Sequence, residues 1–295
     1  MCRSPLESSG CDERDEGRGH KSCAPGSKPH VFDGALTRPL LEARHLVKRF
    51  HGITVVDDVS LVVRPGEVVG YLGPNGSGKT TTGRMLTGLV EPSSGSVIFD
   101  GRNVSDDRIE YRRRLGYVPE EPTLYPFLSA REQLRLLGRL RDLPSASMER
   151  KMAALLELFG MADAAEQSIS AYSKGMRQKV LIIAALLHDP DLLIFDEPDS
   201  GLDVTTSLVL RHLVHTLAAR GKAVLYSSHI LEVVEKLCTR VIVLHRGRIV
   251  AQDTVQQLRA LMSHQSLEDV FSELVLETNP EQTARDIADV VGGRA

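Results

Sequence analysis

Apolar positions are sparse before residue 39 of this chain and then fall into short, evenly bounded runs. Leu41-Glu42-Ala43-Arg44-His45-Leu46-Val47, Val59-Ser60-Leu61-Val62-Val63 and Ser96-Val97-Ile98-Phe99 alternate or cluster as short strands do. Pro65-Gly66 and Asp100-Gly101 supply turns. From about residue 129 to 187 the period lengthens to a helical one. Ser129-Ala130-Arg131-Glu132 predicts a capping box that opens a helix carrying Leu134, Leu137 and Leu140. A second apolar helix is predicted over residues 147–159, with Gly160 as its left-handed stop. Strand-like runs return at Leu192-Leu193-Ile194-Phe195, Ala223-Val224-Leu225-Tyr226 and Val241-Ile242-Val243-Leu244. Helical segments separate them, as the crossovers of a parallel sheet require. The last pattern, Ser266-Leu267-Glu268-Asp269-Val270-Phe271-Ser272-Glu273-Leu274, predicts an amphipathic helix packed on the core. The predicted class is α/β: a mixed sheet with an N-terminal antiparallel part and an inserted α-helical subdomain.

Bulk properties narrow this little. The chain has 295 residues, net charge −3 and a pI near 6.4, so no basic field points to nucleic acid. Residues 1–38 are polar, charged and rich in Ser, Gly and Pro, which predicts a disordered tail. Residues 39–262 are expected to form the main domain, with its helical subdomain at about 125–190, and 263–295 a helical extension. The four cysteines, Cys2, Cys11, Cys23 and Cys238, show no zinc spacing and read as reduced thiols; His20 with Cys11 and Cys23 is a weak metal candidate. The longest apolar run, from Val180 to Leu187, is too short for a bilayer and ends at His188-Asp189-Pro190-Asp191. The N-terminus lacks the apolar core of a signal peptide. A cytoplasmic location is expected, with any membrane role borrowed from a partner.

Candidate chemistry begins at Gly73-Pro74-Asn75-Gly76-Ser77-Gly78-Lys79-Thr80, the G-x-x-x-x-G-K-[ST] pattern called Walker A. Val68-Val69-Gly70-Tyr71-Leu72 before it reads as a buried strand, and the residues from Thr81 onward read as a helix. Strand, glycine loop and helix together make a phosphate site, because backbone N–H groups must curl around an anion at a helix N-terminus. Lys79 supplies a full charge for the β- and γ-phosphates, and Thr80 a hydroxyl for Mg²⁺. Leu192-Leu193-Ile194-Phe195-Asp196-Glu197 is an apolar strand ending in two carboxylates, the Walker B form. Asp196 is placed to hold Mg²⁺, and Glu197 to orient or deprotonate water.

Ala171-Tyr172-Ser173-Lys174-Gly175-Met176-Arg177-Gln178 precedes a long helix, where Ser173 alone would read simply as an N-cap. The order of Walker A, helical insert, Ser-x-Gly before a helix, then Asp196-Glu197-Pro198 resembles the ATP-binding cassette (ABC) ATPases, over about residues 40–250. That resemblance implies a P-loop NTPase core that binds ATP and Mg²⁺ and hydrolyses ATP. It implies a phosphate-binding set of Gly73, Pro74, Asn75, Gly76, Ser77, Gly78, Lys79, Thr80 and Thr81, with Phe50 stacked on adenine; a plain core phenylalanine is the other reading of Phe50. Ser173, Lys174 and Gly175 stand at the signature, which in the family meets the γ-phosphate of a second subunit. Asp203, in Ser200-Gly201-Leu202-Asp203, stands in the loop that crosses that interface. His229, in Tyr226-Ser227-Ser228-His229, stands at the switch histidine, so the implied catalytic set is Lys79, Glu197 and His229.

Three positions depart from the family pattern. Glu120, in Gly116-Tyr117-Val118-Pro119-Glu120, stands where glutamine is usual and joins Thr80 and Asp196 as an implied metal ligand. Its carboxylate is expected to alter the metal or pH dependence of hydrolysis. Lys174 brings a cation to the signature, either to strengthen the phosphate clamp or to extend into solvent. Met176 replaces the usual glutamine, with Gln178 two positions on.

The resemblance implies the ATP-hydrolysing subunit of a transporter. It would sit at the inner face of the cell membrane through a separate permease and close as a head-to-tail dimer, with a second copy of itself as the expected partner. The helical insert and residues 120–125 form the expected groove for that permease. Ser266-Leu267-Glu268-Asp269-Val270-Phe271 resembles the tail of exporter-type cassettes, which favours export. The alternative is a soluble ATPase of the same family acting on ribosomes or DNA, which usually carries two cassettes, long coiled coils or zinc modules. A GTPase is disfavoured by the lack of an Asn-Lys-x-Asp motif.

Overall fold

The computed structural model describes residues 38–121, 123–261, 266–275 and 280–292. The predicted tail up to residue 37, with Cys2, Cys11, Cys23 and His20, lies outside them.

Two sheets organise the chain. Strands β1 (Leu41–Phe50), β2 (Ile53–Val63), β4 (Ser94–Phe99) and β5 (Arg102–Asn103) form an antiparallel sheet in the order β2-β1-β4-β5. The second sheet runs β10 (Arg248–Thr254), β9 (Arg240–His245), β3 (Val68–Leu72), β8 (Ala223–Ser227), β7 (Leu192–Asp196), β6 (Leu115–Val118). Its pairs are parallel except β10 with β9. Every residue of β3, β7 and β8 is buried, the pattern of strands covered on both faces.

Side-chain alternation divides that burial into two cores. Val69, Tyr71, Leu192, Ile194, Ala223 and Leu225 pack toward the antiparallel sheet, along with Met85 and Leu86 of helix α1 (Lys79–Leu86). Val68, Leu72, Leu193, Phe195, Val224 and Tyr226 pack on the opposite face. Joining them there are helices α3 (Ala130–Arg139), α4 (Ser145–Leu158) and α5 (Lys174–Leu186), which make up the insert. The short α2 (Arg108–Arg113) precedes β6, while α6 (Val204–Ala219) and α7 (Leu231–Leu237) follow β7 and β8. The capping box at Ser129 is formed in both directions, and Gly160 takes φ 64° after α4.

The C-terminal pattern becomes α8 (Val255–Leu261), α9 (Leu267–Val275) and α10 (Pro280–Val291). Leu267 and Val270 are buried in the larger core, so the predicted packing of that amphipathic helix is present. Cys238 is buried there too, and burial raises its thiol pKa well above the usual range, as for an inert structural cysteine. Among the described residues, no helix is long and apolar enough to cross a membrane.

Strand order positions the chemistry. The loops after β3, β8, β7 and β6 all leave the same carboxyl edge of the sheet, and those four strands are neighbours. Asp196 is in register with Ser227, and Val118 with Phe195. Residues 73–80, Asp196-Glu197, His229 and Glu120 therefore converge although more than a hundred residues separate some of them.

Candidate active site

The loop after β3 turns straight into α1. Gly78, at the helix N-cap, has φ 101°, a conformation that L side chains rarely adopt, and no side chain caps the helix. The first-turn N–H groups of α1 are thus left for an anion. Lys79 Nζ donates to Gly73 O at 2.7 Å and Pro74 O at 3.2 Å, holding the ammonium over the loop. Burial lowers the Lys79 pKa, and the charges of Glu197, Asp196 and Glu120 oppose that shift. Gly247 N donates to Ser77 O at 2.9 Å, so the turn between β9 and β10 fastens the loop from below.

A cleft of about 370 Å³ gathers Asn75, Gly76, Gly78, Lys79, Thr80 and Thr81 with Glu120, Asp196 and Glu197. Val55 of β2 completes its wall, a residue no local pattern marks. Asp196 is 5 % exposed. Its Oδ1 accepts from Ser227 Oγ at 2.6 Å, while its Oδ2 is buried without a hydrogen-bond partner. Burial raises the Asp196 pKa above the ordinary aspartate range. A desolvated carboxylate with one oxygen unsatisfied, beside the Thr80 hydroxyl, fits Mg²⁺, which is held by one or two carboxylates plus phosphate and water. The Ser227 contact follows from strand register, which no local sequence pattern marks.

Glu197 has φ 49°, in the left-handed region that costs a non-glycine residue about 1–2 kcal/mol. Its N–H donates to Ser227 O at 3.2 Å, and its Oε2 lies 2.7 Å from His229 Nδ1. The strained turn throws the carboxylate out of the β7 line and into the cleft. His229 is thereby joined to the cleft through Glu197.

Phe50 stands at the tip of the β1–β2 hairpin, opposite Ile53, outside the cleft lining. It is 42 % exposed, with Lys48 Nζ 5.0 Å from its ring centroid, so it is not a core phenylalanine.

Ser173, Lys174, Gly175 and Asp203 also lie outside the cleft lining. Ser173 N-caps α5, accepting from Met176 N at 3.2 Å. Lys174 is exposed, and its Nζ donates to Ser200 Oγ at 2.6 Å. A Cβ on Gly175 would stand 2.3 Å from Gly201 O, so only glycine fits that approach. Buried Gln178 donates to Pro198 O at 3.2 Å, and Lys179 pairs with Asp203 at 3.6 Å. The start of α5 and residues 198–203 are consequently one packed unit. Asp203 caps α6, accepting from Thr206 N and Oγ1, which bring its pKa down to about 2.

Comparison with known proteins fits this geometry. The family profile described as ABC transporter matches residues 56–200. The ABC transporter ATP-binding protein NatA of Bacillus subtilis (strain 168) is 40 % identical over 220 residues, 74 % of this chain and 89 % of that protein. The Nod factor export ATP-binding protein I of Cupriavidus pinatubonensis is 40 % identical over 230 residues, 78 % of this chain and 70 % of that protein. The solved structure of an ATP binding subunit of an ABC transporter superposes with TM-score 0.76 at 37 % identity, covering 80 % of this chain and 99 % of that one. The chain belongs to the ABC transporter ATP-binding proteins, the ATP-hydrolysing subunits of these transporters.

Proposed function

We propose that this chain powers export through a separate permease at the cytoplasmic face of the membrane. Two copies close head to tail on two Mg²⁺-bound ATP molecules. The observation that carries this reading is the division of the site. The cleft collects the phosphate loop, Asp196, Glu197 and Glu120, with His229 joined through Glu197, whereas the α5 N-terminus with Ser173 and Gly175 lies outside it. Those donors complete an anion site only when a second molecule supplies the phosphates. Because α5 and residues 198–203 are packed together, the signature and Asp203 meet the partner as one surface.

In this reading Lys79 and the α1 N-terminus hold the β- and γ-phosphates, and Phe50 stacks on the base. Thr80, Asp196 and Glu120 would hold Mg²⁺, which when bound would supply charge neutralisation on the transferred phosphoryl group. Glu197 takes a proton from water, and His229 holds that carboxylate in place. Glu120 also lines a second cavity of about 540 Å³ against the helical insert. Its carboxylate is thus shared between the phosphate cleft and the surface offered to the permease. Export is supported by the Nod factor export relative and by the Ser266-to-Phe271 segment, seated on the core through Leu267 and Val270.

Affinity purification from detergent-solubilised host membranes tests the reading. A multi-span protein in stoichiometric yield is expected; ribosomes or DNA in its place would overturn it. Glu120→Gln is expected to raise the Mg²⁺ concentration for half-maximal hydrolysis by about three- to tenfold, since one anionic ligand is lost. An unchanged Mg²⁺ titration would place Glu120 outside the metal shell.

A further inference from the structure

Glu197 holds a conformation that its own sequence opposes. It precedes Pro198, which pushes a residue toward extended backbone, yet it takes φ 49°. Such a conformation persists only where the surrounding contacts over-determine it. On the N-terminal side, Glu197 N donates to Ser227 O at 3.2 Å. On the C-terminal side, Ser200 N donates to Glu197 O at 3.1 Å and closes a turn. Asp199 stands inside that turn, with its side chain 11 % exposed.

The Asp199 carboxylate takes no part in the cleft lining. Its Oδ2 accepts from the hydroxyl of Tyr226, a fully buried residue of β8. Burial, and then the charge of Asp199, raise the Tyr226 pKa, so that hydroxyl remains a donor. Asp199 Oδ1 is buried without a hydrogen-bond partner and faces Arg211 Nε of α6 at 3.9 Å, within ion-pairing distance. Moving this carboxylate would take the acceptor from a buried hydroxyl and the counter-charge from Arg211, so its backbone is held in place. Tyr226 and Ser227 are consecutive, so β8 grips the chain on both sides of Pro198, through the Glu197 N–H and through Asp199. We propose that Asp199 is a positioning residue for Glu197, clamping the turn after β7 so that the Glu197 carboxylate stays aimed into the cleft. This rests on the assignment of Glu197 as the base.

The test measures ATP hydrolysis by full-length Asp199→Ala and Tyr226→Phe, each alone and in a Glu197→Gln background. Asp199→Ala should lower kcat about 10–100-fold, the scale of a misplaced reacting group, with KM for ATP within about twofold of wild type. Tyr226→Phe keeps the ring in the core and removes only the hydroxyl; it should lower kcat at least about threefold. It carries the test should Asp199→Ala not fold. Asp199→Asn, still able to accept from Tyr226, should retain more activity than Asp199→Ala. In the Glu197→Gln background neither substitution should lower the residual rate further, because the group they position is already lost. The ATP-bound dimer should still form there in size-exclusion chromatography. A further, multiplicative loss in that background, or loss of the dimer, would show that Asp199 acts elsewhere and overturn the proposal. Wild-type kcat in both single variants would overturn it too and leave Glu197 as the base. Wild-type turnover by Glu197→Gln itself would overturn both.

Discussion

Replacing Glu197 by Gln should lower steady-state ATP hydrolysis by about 10²–10⁴-fold, the range a positioned general base contributes, while ATP binding persists. The substitution keeps size and shape, and its amide can still bond His229, whose Nδ1 lies 2.7 Å from Oε2. The left-handed turn at φ 49° is a property of the backbone and should survive. What is lost is the capacity to accept a proton from water. With hydrolysis blocked and the phosphate contacts intact, the ATP-bound dimer should accumulate at twice the 32.4 kDa chain mass. Phosphate release and size-exclusion chromatography in ATP check both halves, and turnover within threefold of wild type would remove Glu197 from the role of base.

Asp196→Asn should show two opposed effects. Hydrolysis should fall at least about a hundredfold, because the substitution removes the charge of the carboxylate proposed to hold Mg²⁺ through its free buried oxygen. Stability without nucleotide should rise instead. The folded-state pKa of Asp196 is raised, so the native protein binds its proton more tightly than the unfolded chain does. Stability therefore declines as pH climbs from the unfolded to the folded value, and at neutral pH the full cost of a buried charge is present. An asparagine, still able to accept from Ser227, removes that cost, worth about 1–2 kcal/mol, or roughly 2–4 °C in melting temperature. The gain should vanish in acid, where Asp196 is protonated in both states. Thermal scans at neutral and acidic pH measure it; a variant less stable than wild type at neutral pH would contradict the assigned sign.

These residues differ in how legible they were. The phosphate loop and the acidic strand end can be read locally, because an anion cradle needs glycines at fixed spacing and a metal needs a carboxylate at a sheet edge. The capping box at Ser129 is equally local, a matter of one turn. Ser227 is different: it matters only because β8 lies beside β7 in a register that sets it against Asp196. Val55 enters the cleft from another sheet. Lys174 shows the same limit. Its two expected courses, a phosphate clamp or solvent, do not include the hydrogen bond to Ser200 Oγ, 26 positions along the chain. The edge strand β10 alternates only between exposed and half-buried positions, so its pattern is too faint to separate from a loop.

In the proposed dimer each phosphate loop is completed by the other molecule's signature. Lys79→Ala disables the loop and leaves the signature intact; Ser173→Arg does the reverse. Each variant alone should be inactive. Mixed in equal amounts, they should recover up to about a quarter of wild-type hydrolysis, since random pairing puts half the chains in mixed dimers with one intact site of two. A mixture no more active than its separate components, at concentrations where the wild type turns over, would contradict a site shared between two chains.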